Sequence, residues 1–282
     1  MKRYLQITVP RSELGEEVFT RLSGVMPGDY SGTFHARFRD DSAQCREVLR
    51  ILHEAGLAPH GDFEPFGPGK YSCWPNYEYE QDDLDRASSF QMLPHQSADR
   101  AHDQTSESIL SLKANRLARK GPLLLTDPLA VLVSSKLRAE LEAAEFIGLE
   151  FRATQAARVQ SMGDSEVVPW SKVGCEPYWR VDSSVRLPRL SPRCRLVDVK
   201  GRPVTDEDSS KGVALLEGEF PAGELHYRSA DIHAVEPFDA AMTREPLAYG
   251  RGPRLVVSRR VYDFINARRL KVTWLPVYVD EE

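Results

Sequence analysis

Catalysis by side chains needs a base, a nucleophile or a metal ligand, and this chain of 282 residues offers few groups spaced for any of them. Its seven histidines are scattered. His35, His53 and His60 belong to a strand, a helix and a turn near the N-terminus; His95 and His102-Asp103 lie in a polar stretch; His226 and His233 lie in a β-rich middle. A helical zinc pair needs histidines four residues apart, and no two of these have that spacing. A hydrolase site assembled from distant residues would need His95, His102 or His226 to meet carboxylates in one pocket. The cysteines, Cys45, Cys73, Cys175 and Cys194, include no C-x-x-C pair, so no zinc framework is expected. Cys45 reads as an ordinary thiol on an amphipathic helix. Phe66-Gly67-Pro68-Gly69-Lys70 is similar to a phosphate loop only in composition, because Pro68 lacks an N–H and no helix follows. The chain has neither a P-loop nor a dinucleotide-binding glycine motif. No cofactor and no metal is expected.

Two serines occupy matching places. Ser134 and Ser258 each follow an apolar run and precede a helical pattern, within LAVLVSSKLRAELEAAEFIGLEFRAT (Leu129 to Thr154) and PRLVVSRRVYDFINARRLKVTWLPVY (Pro253 to Tyr278). Val133 aligns with Val257, Leu137 with Val261, Leu141 with Ile265 and Phe146 with Leu270; after a one-residue deletion, Leu149 and Phe151 align with Val272 and Trp274. Each copy is predicted to be strand, short helix, strand. A nucleophilic serine at a sharp strand-to-helix turn needs flanking glycines, whereas the neighbours here are valine, serine and arginine. The expected role is an N-cap, contributing about 1 kcal/mol. The second helix has a basic outer face with Arg259, Arg260, Arg268 and Arg269, either solvated or an interaction surface.

Recognition chemistry is concentrated between Gly61 and Asp85, a segment with three prolines, three glycines, six aromatics and seven acids. That mixture predicts an irregular acidic surface. Trp74, Tyr77, Glu78, Tyr79, Glu80, Asp82, Asp83 and Asp85 are its candidate partner-binding residues. Tyrosine and tryptophan are common anchors of interfaces, and carboxylates would complement a basic partner. A solvated loop is the alternative.

Elements must hold these groups in place. Tyr4 to Val9 alternates as a strand, with Ser12 as the expected N-cap of a following helix that buries Val18, Phe19 and Leu22. Thr33 to Phe38 is a second strand. Asp41 or Ser42 is placed to cap a helix with a Cys45, Val48, Leu49 and Leu52 stripe, ended by Gly56. His95 to Ser108 has no apolar periodicity and reads as a linker or loop, and a helix is predicted from about Ser106 to Lys120. Short runs from Glu176 to Ile232 predict hairpins, and the final YVDEE reads as a solvated tail. Composition is that of an ordinary globular protein, with 41% hydrophobic and 28% charged residues and a net charge of −5. The acidic balance argues against nucleic acid as a partner. No apolar run approaches the roughly 20 residues of a membrane span, and the opening lacks a signal-peptide pattern, so a cytoplasmic location is expected.

At the repeated segment the sequence resembles bacterial immunity proteins of polymorphic toxin systems, especially the myxobacterial double-CxxCG family. The resemblance rests on Leu132-Val133-Ser134 through Phe151 and on Leu255-Val256-Val257-Ser258 through Pro276-Val277. Tyr178-Trp179-Arg180-Val181 is similar to the family's WYRL-like middle. It spans residues 120–282 and departs from the family in lacking both C-x-x-C-G pairs. It implies a non-enzymatic cytoplasmic protein that binds and neutralises a cognate toxin or effector, such as a nuclease, in bacterial competition or type VI secretion. A hydrolase with a His/carboxylate site and a scaffold protein are the alternatives. The expected fold is α+β (or α/β), with mixed sheets and a repeated strand-helix-strand unit. The expected organisation is an N-terminal α/β portion (1–93), a polar linker or loop (94–108) and a C-terminal α+β portion (109–282) with repeats at 129–154 and 253–278. Oligomeric state is left open.

Overall fold

The computed structural model describes residues 2–25, 33–59, 69–101, 109–126, 130–161, 164–194, 196–197, 215–216, 224–245, 247 and 253–281. The fold is α+β with several mixed sheets. It divides into two compact units, one built on Met1–Asp85 and the other on Arg86–Cys194 with Glu224–Glu282. Among the described residues no helix is long and apolar enough to cross a membrane.

In the first unit, β1 (Lys2–Pro10), α1 (Glu16–Val25), β2 (Thr33–Arg39), α2 (Ala43–Glu54), β3 (Ala58–Pro59) and β4 (Lys70–Glu78) follow in order. The sheet order is β2-β1-β4-β3. β1 is antiparallel to β2 and β4, and β3 is parallel to β4. Alternation decides the faces: Phe34, Ala36 and Phe38 of β2 are buried with Ile7 and Val9 of β1, while Thr33, His35, Arg37 and Arg39 are exposed. The helices close this core with Leu22, Cys45, Val48, Ile51 and Leu52, and Val18, Phe19 and Leu49 pack beside it. Ser42 caps α2 by accepting the Cys45 N–H at 3.0 Å. Gly56 follows the helix at φ +73°, where glycine has no Cβ penalty. Ser12 is not the cap of α1. It lies in a 3-10 turn, Arg11–Glu13, and α1 begins only at Glu16, with the Gly15 carbonyl taking the Phe19 N–H.

The segment expected to be irregular contains β4 and, after it, α3 (Gln81–Arg86). Tyr71 and Cys73 supply the inward alternation. Pro75 is tolerated because β3 reaches only Lys70 and Tyr71, leaving the rest of β4 with one neighbour among the described strands. Residues 61–68 of that segment lie outside the described ones.

The second unit starts with β5 (Ser89–Pro94), β6 (Ser97–Ala98), β7 (Leu110–Lys113), β8 (Leu123–Thr126), β9 (Ala130–Ser134), α4 (Ser135–Ala143), β10 (Glu150–Ser161), β11 (Asp164–Val168), α5 (Trp170–Val173) and β12 (Tyr178–Asp182). A two-residue pair, β13 (Leu196–Val197) with β14 (Leu215–Leu216), belongs to the first unit, and the second continues with β15 (Leu225–Arg228), α6 (Ser229–His233), β16 (Ala240–Met242), β17 (Leu255–Ser258), α7 (Arg259–Ala267) and β18 (Val272–Asp280). One sheet runs β11-β10-β12-β9-β8-β6, with β7 also on β10; another runs β15-β18-β5-β17-β16. Both predicted strand-helix-strand copies are present, as β9-α4-β10 and β17-α7-β18.

The helix predicted over 106–120 is absent from the described part of that span. Leu110 to Lys113 is a strand parallel to β10, and Leu117–Arg119 is a 3-10 turn. Leu112 is fully buried opposite Ala156, and Arg116 at φ 71° is incompatible with a continuing helix. In the polar stretch before it, β6 pairs in parallel with β8, and Ala98 and Ala101 are buried; residues 102–108 lie outside the described ones. Tyr278 to Asp280, expected in a solvated tail, instead belong to β18.

Candidate functional site

The predicted recognition residues fall at the end of β4 and along α3. Glu78 closes β4 opposite Lys2 of β1, and its carboxylate accepts from Arg37 Nη2 at 2.6 Å. Lys2 Nζ reaches Glu80 Oε1 at 2.6 Å. That hydrogen bond lowers the Glu80 pKa and raises that of Lys2. The Glu80 N–H donates to Asp83 Oδ2 at 2.9 Å while the Glu80 carbonyl takes the Asp83 and Leu84 N–H groups, which fixes the first turn of α3. Gln81 Nε2 donates to Asp85 Oδ1 at 2.7 Å. Glu78, Glu80, Asp82 and Asp85 are exposed, while Tyr79 and Asp83 are half-buried. The backbones of Trp74 and Tyr77 pair with Gln6 and Arg3; their side chains lie outside the described residues. Five of the predicted carboxylates are thus gathered on one short segment held by Lys2, Arg37 and its own turn.

A second polar group lies around His226, where β15 runs parallel to β18. His226 stacks on Tyr278, its register partner, with centroids 4.9 Å apart. Its Nδ1 is 3.0 Å from Asp280 Oδ1, and its Nε2 is 3.7 Å from Glu224 Oε2. Glu224 first, and then Asp280, raise the imidazole above its ordinary 6.5 against the opposing effect of burial, although Asp280 is the nearer by distance. Burial opposes ionisation of Asp280, yet donation by Ser191 Oγ at 2.6 Å, His226 and Arg193 Nη1 at 2.8 Å holds its pKa below 3.8. Cys194 Sγ accepts the His226 N–H at 3.2 Å. Sequence reasoning named His226 but not Ser191, Arg193, Glu224 or Asp280, which are separated by up to 89 positions along the chain.

This constellation is not arranged for acyl transfer. A serine nucleophile needs its hydroxyl on the imidazole and the carboxylate behind that ring. Here Ser191 and His226 both bind Asp280. The cluster ties β15 and the Ser191 turn to the end of β18. The other described histidines with an identified partner make single contacts: His35 with Thr8, His95 with Thr273 and His233 with Ser229. His60 and His102 lie outside the described residues. Among the described residues no group of three or more His, Cys, Asp or Glu is placed to hold a metal ion.

The paired serines differ. Ser134 is buried and accepts the Leu137 N–H at 3.3 Å, the expected cap. Ser258 instead donates to Asp239 Oδ1 at 2.6 Å and makes no side-chain cap. Buried Asp239 also takes the Ile147 N–H at 3.0 Å and pairs with Arg260. The basic face of α7 is largely used within the fold: Arg259 donates to the Ala87 carbonyl and lies over Phe90 and Tyr262, and Arg268 pairs with Glu140 at 2.7 Å.

A further buried network surrounds Gln91. Its Oε1 accepts Arg254 Nη1 at 2.9 Å, and the Arg254 N–H donates to Thr243 Oγ1 at 2.9 Å, whose hydroxyl donates to the Glu245 carbonyl. Tyr227 is fully buried, and among the described residues its hydroxyl has no hydrogen-bond partner. Comparison of the chain with models of known families, with curated proteins and with solved structures finds no match.

Proposed function

We propose that this chain is a cytoplasmic immunity-type protein that neutralises a cognate bacterial toxin by binding over its active cleft. The observation that supports the reading most directly is the β4–α3 segment. Glu78, Glu80, Asp82 and Asp85 are exposed there on a backbone fixed by sheet pairing and by the Glu80–Asp83 turn. Pre-organised carboxylates lose little entropy on binding. They also complement the basic cleft of a nuclease, speeding encounter while excluding its substrate. Lys2 and Arg37 hold two of the acids in place, and a basic partner would compete with them for those oxygens.

The hydrolase alternative draws on His226 beside Glu224 and Asp280. The proposal sets it aside because both Ser191 and the imidazole are committed to the same carboxylate.

The test replaces Glu78, Glu80, Asp82 and Asp83 together by alanine and measures affinity for the inactivated product of the adjacent gene. A loss of at least tenfold, about 1.4 kcal/mol, is expected, with the salt dependence of association reduced. Unchanged affinity in a folded variant would remove this surface from the reading.

A further inference from the structure

We infer that the second unit, Arg86–Cys194 with Glu224–Glu282, is a fused pair of one structural unit whose two leading strands have changed places. Hydrogen-bonded register shows the correspondence. In the first copy β9 lies between β8 and β12, with Val133 opposite Leu123 and Trp179. In the second copy β17 lies between β16 and β5, with Val257 opposite Ala240 and Phe90. All four pairings are antiparallel. The closing strands match as well. β10 is antiparallel to β12 and then parallel to β7 from Thr154↔Leu110; β18 is antiparallel to β5 and then parallel to β15 from Val277↔Leu225. The Ser134 and Ser258 N–H groups donate to Pro122 and Asp239 at 2.8 and 2.9 Å, and the next amides, Ser135 and Arg259, donate to Pro177 and Ser88, both at 3.0 Å.

Chain order reveals the exchange. β5 comes before every strand of the first copy, yet it fills the slot between β17 and β18 in the second. β12 comes before β15 to β18, yet it fills the slot between β9 and β10 in the first. Each leading strand follows a short helix, α3 or α5, and after each the chain returns to its own copy. β6 pairs in parallel with β8 through Ser97↔Leu125, and Arg186 bridges in parallel to Met242. Side chains repeat the pattern with different chemistry. Arg138 of α4 lies 3.8 Å over Trp179 and 5.6 Å over Phe151. At the matching place in α7, Tyr262 stacks on Phe90 at 4.4 Å and meets Trp274 at 5.0 Å.

Neither copy completes its sheet with its own strands. Outside the fusion, the partner that such a unit accepts is the leading strand of a second copy of itself, the arrangement of a strand-exchanged homodimer. Fusion makes that exchange internal.

Cysteine pairs in the full chain test this. Ser89 and Ser258 face each other across a non-hydrogen-bonded position, where side chains are closest and within disulfide reach; Ser134 and Tyr178 are the matching pair in the first copy. Oxidation of the Ser89→Cys/Ser258→Cys protein should give a link within one chain, seen as a monomer on a non-reducing gel and as a joined peptide by mass spectrometry. Ser134→Cys/Tyr178→Cys should do the same, and Ser89→Cys/Ser134→Cys should not link. Linkage of the last pair, a link between two chains, or no link at 89–258 in folded protein would overturn the exchange.

Discussion

At the scale of single residues, the polar groups of this chain are mostly occupied with holding it together. Tyr227 is one of the exceptions: among the described residues its buried hydroxyl has no hydrogen-bond partner, and burial, with nearby Glu245, raises its pKa well above 10. Leaving a buried polar group unpaired costs about 1–3 kcal/mol. Tyr227→Phe should therefore raise stability by about 1 kcal/mol, read as a higher urea midpoint at an unchanged slope; a lower midpoint would show that the hydroxyl is bonded in solution. His226 gives a pH signature. Its pKa is raised on folding, so its stabilisation is complete below 6.5 and is lost as pH rises through the higher folded value. Asp280 has the opposite sign, with stabilisation complete above 3.8 and lost as pH falls through its lowered value. The lock is intact between those limits. Wild type should lose stability from pH 6 to pH 9 by more than His226→Gln does, and parallel pH profiles in urea melts would refute it.

At the scale of elements, the turn between α4 and β10 is the most constrained point of the repeat. Gly148 has φ +80°, and a Cβ there would lie 2.6 Å from the Ala240 carbonyl oxygen. Gly148→Ala should cost more than about 1 kcal/mol, checked by thermal unfolding, and a neutral result would mean that the turn can shift. The repeated strand-helix-strand units were legible in the sequence because each combines a fully apolar strand with a helical stripe such as Leu137 and Leu141 or Val261 and Ile265. β1, β2 and α2 were legible through strict alternation and the Ser42 cap. β4 was hidden by the prolines and glycines around it, since among its described side chains only Tyr71 and Cys73 show the inward pattern. β7 was hidden because Leu110 fits a helical face with Ala114 and Leu117 as well as a strand alternation with Leu112, and the choice was made by a parallel neighbour 44 residues away, Thr154. The acids of the candidate site could be named from composition, but their ordering by Lys2, Arg37 and Asp83 could not. The His226 group was unreadable as a group because its members meet only through the β15–β18 pairing.

At the scale of the whole molecule, the repeat found in the sequence corresponds to more than two similar segments. The second unit reads as two copies of one pattern joined by exchanged strands, β5 and β12, so neither copy is complete alone. The β4–α3 segment of the first unit presents exposed carboxylates on an ordered backbone, and this supports the binding function proposed. The most direct measurement is isothermal titration calorimetry of the intact chain with the inactivated toxin encoded beside it. A one-to-one complex with a nanomolar dissociation constant, about −12 kcal/mol, is the expected result. Absence of heat and of co-purification with the product of either neighbouring gene would contradict the immunity reading.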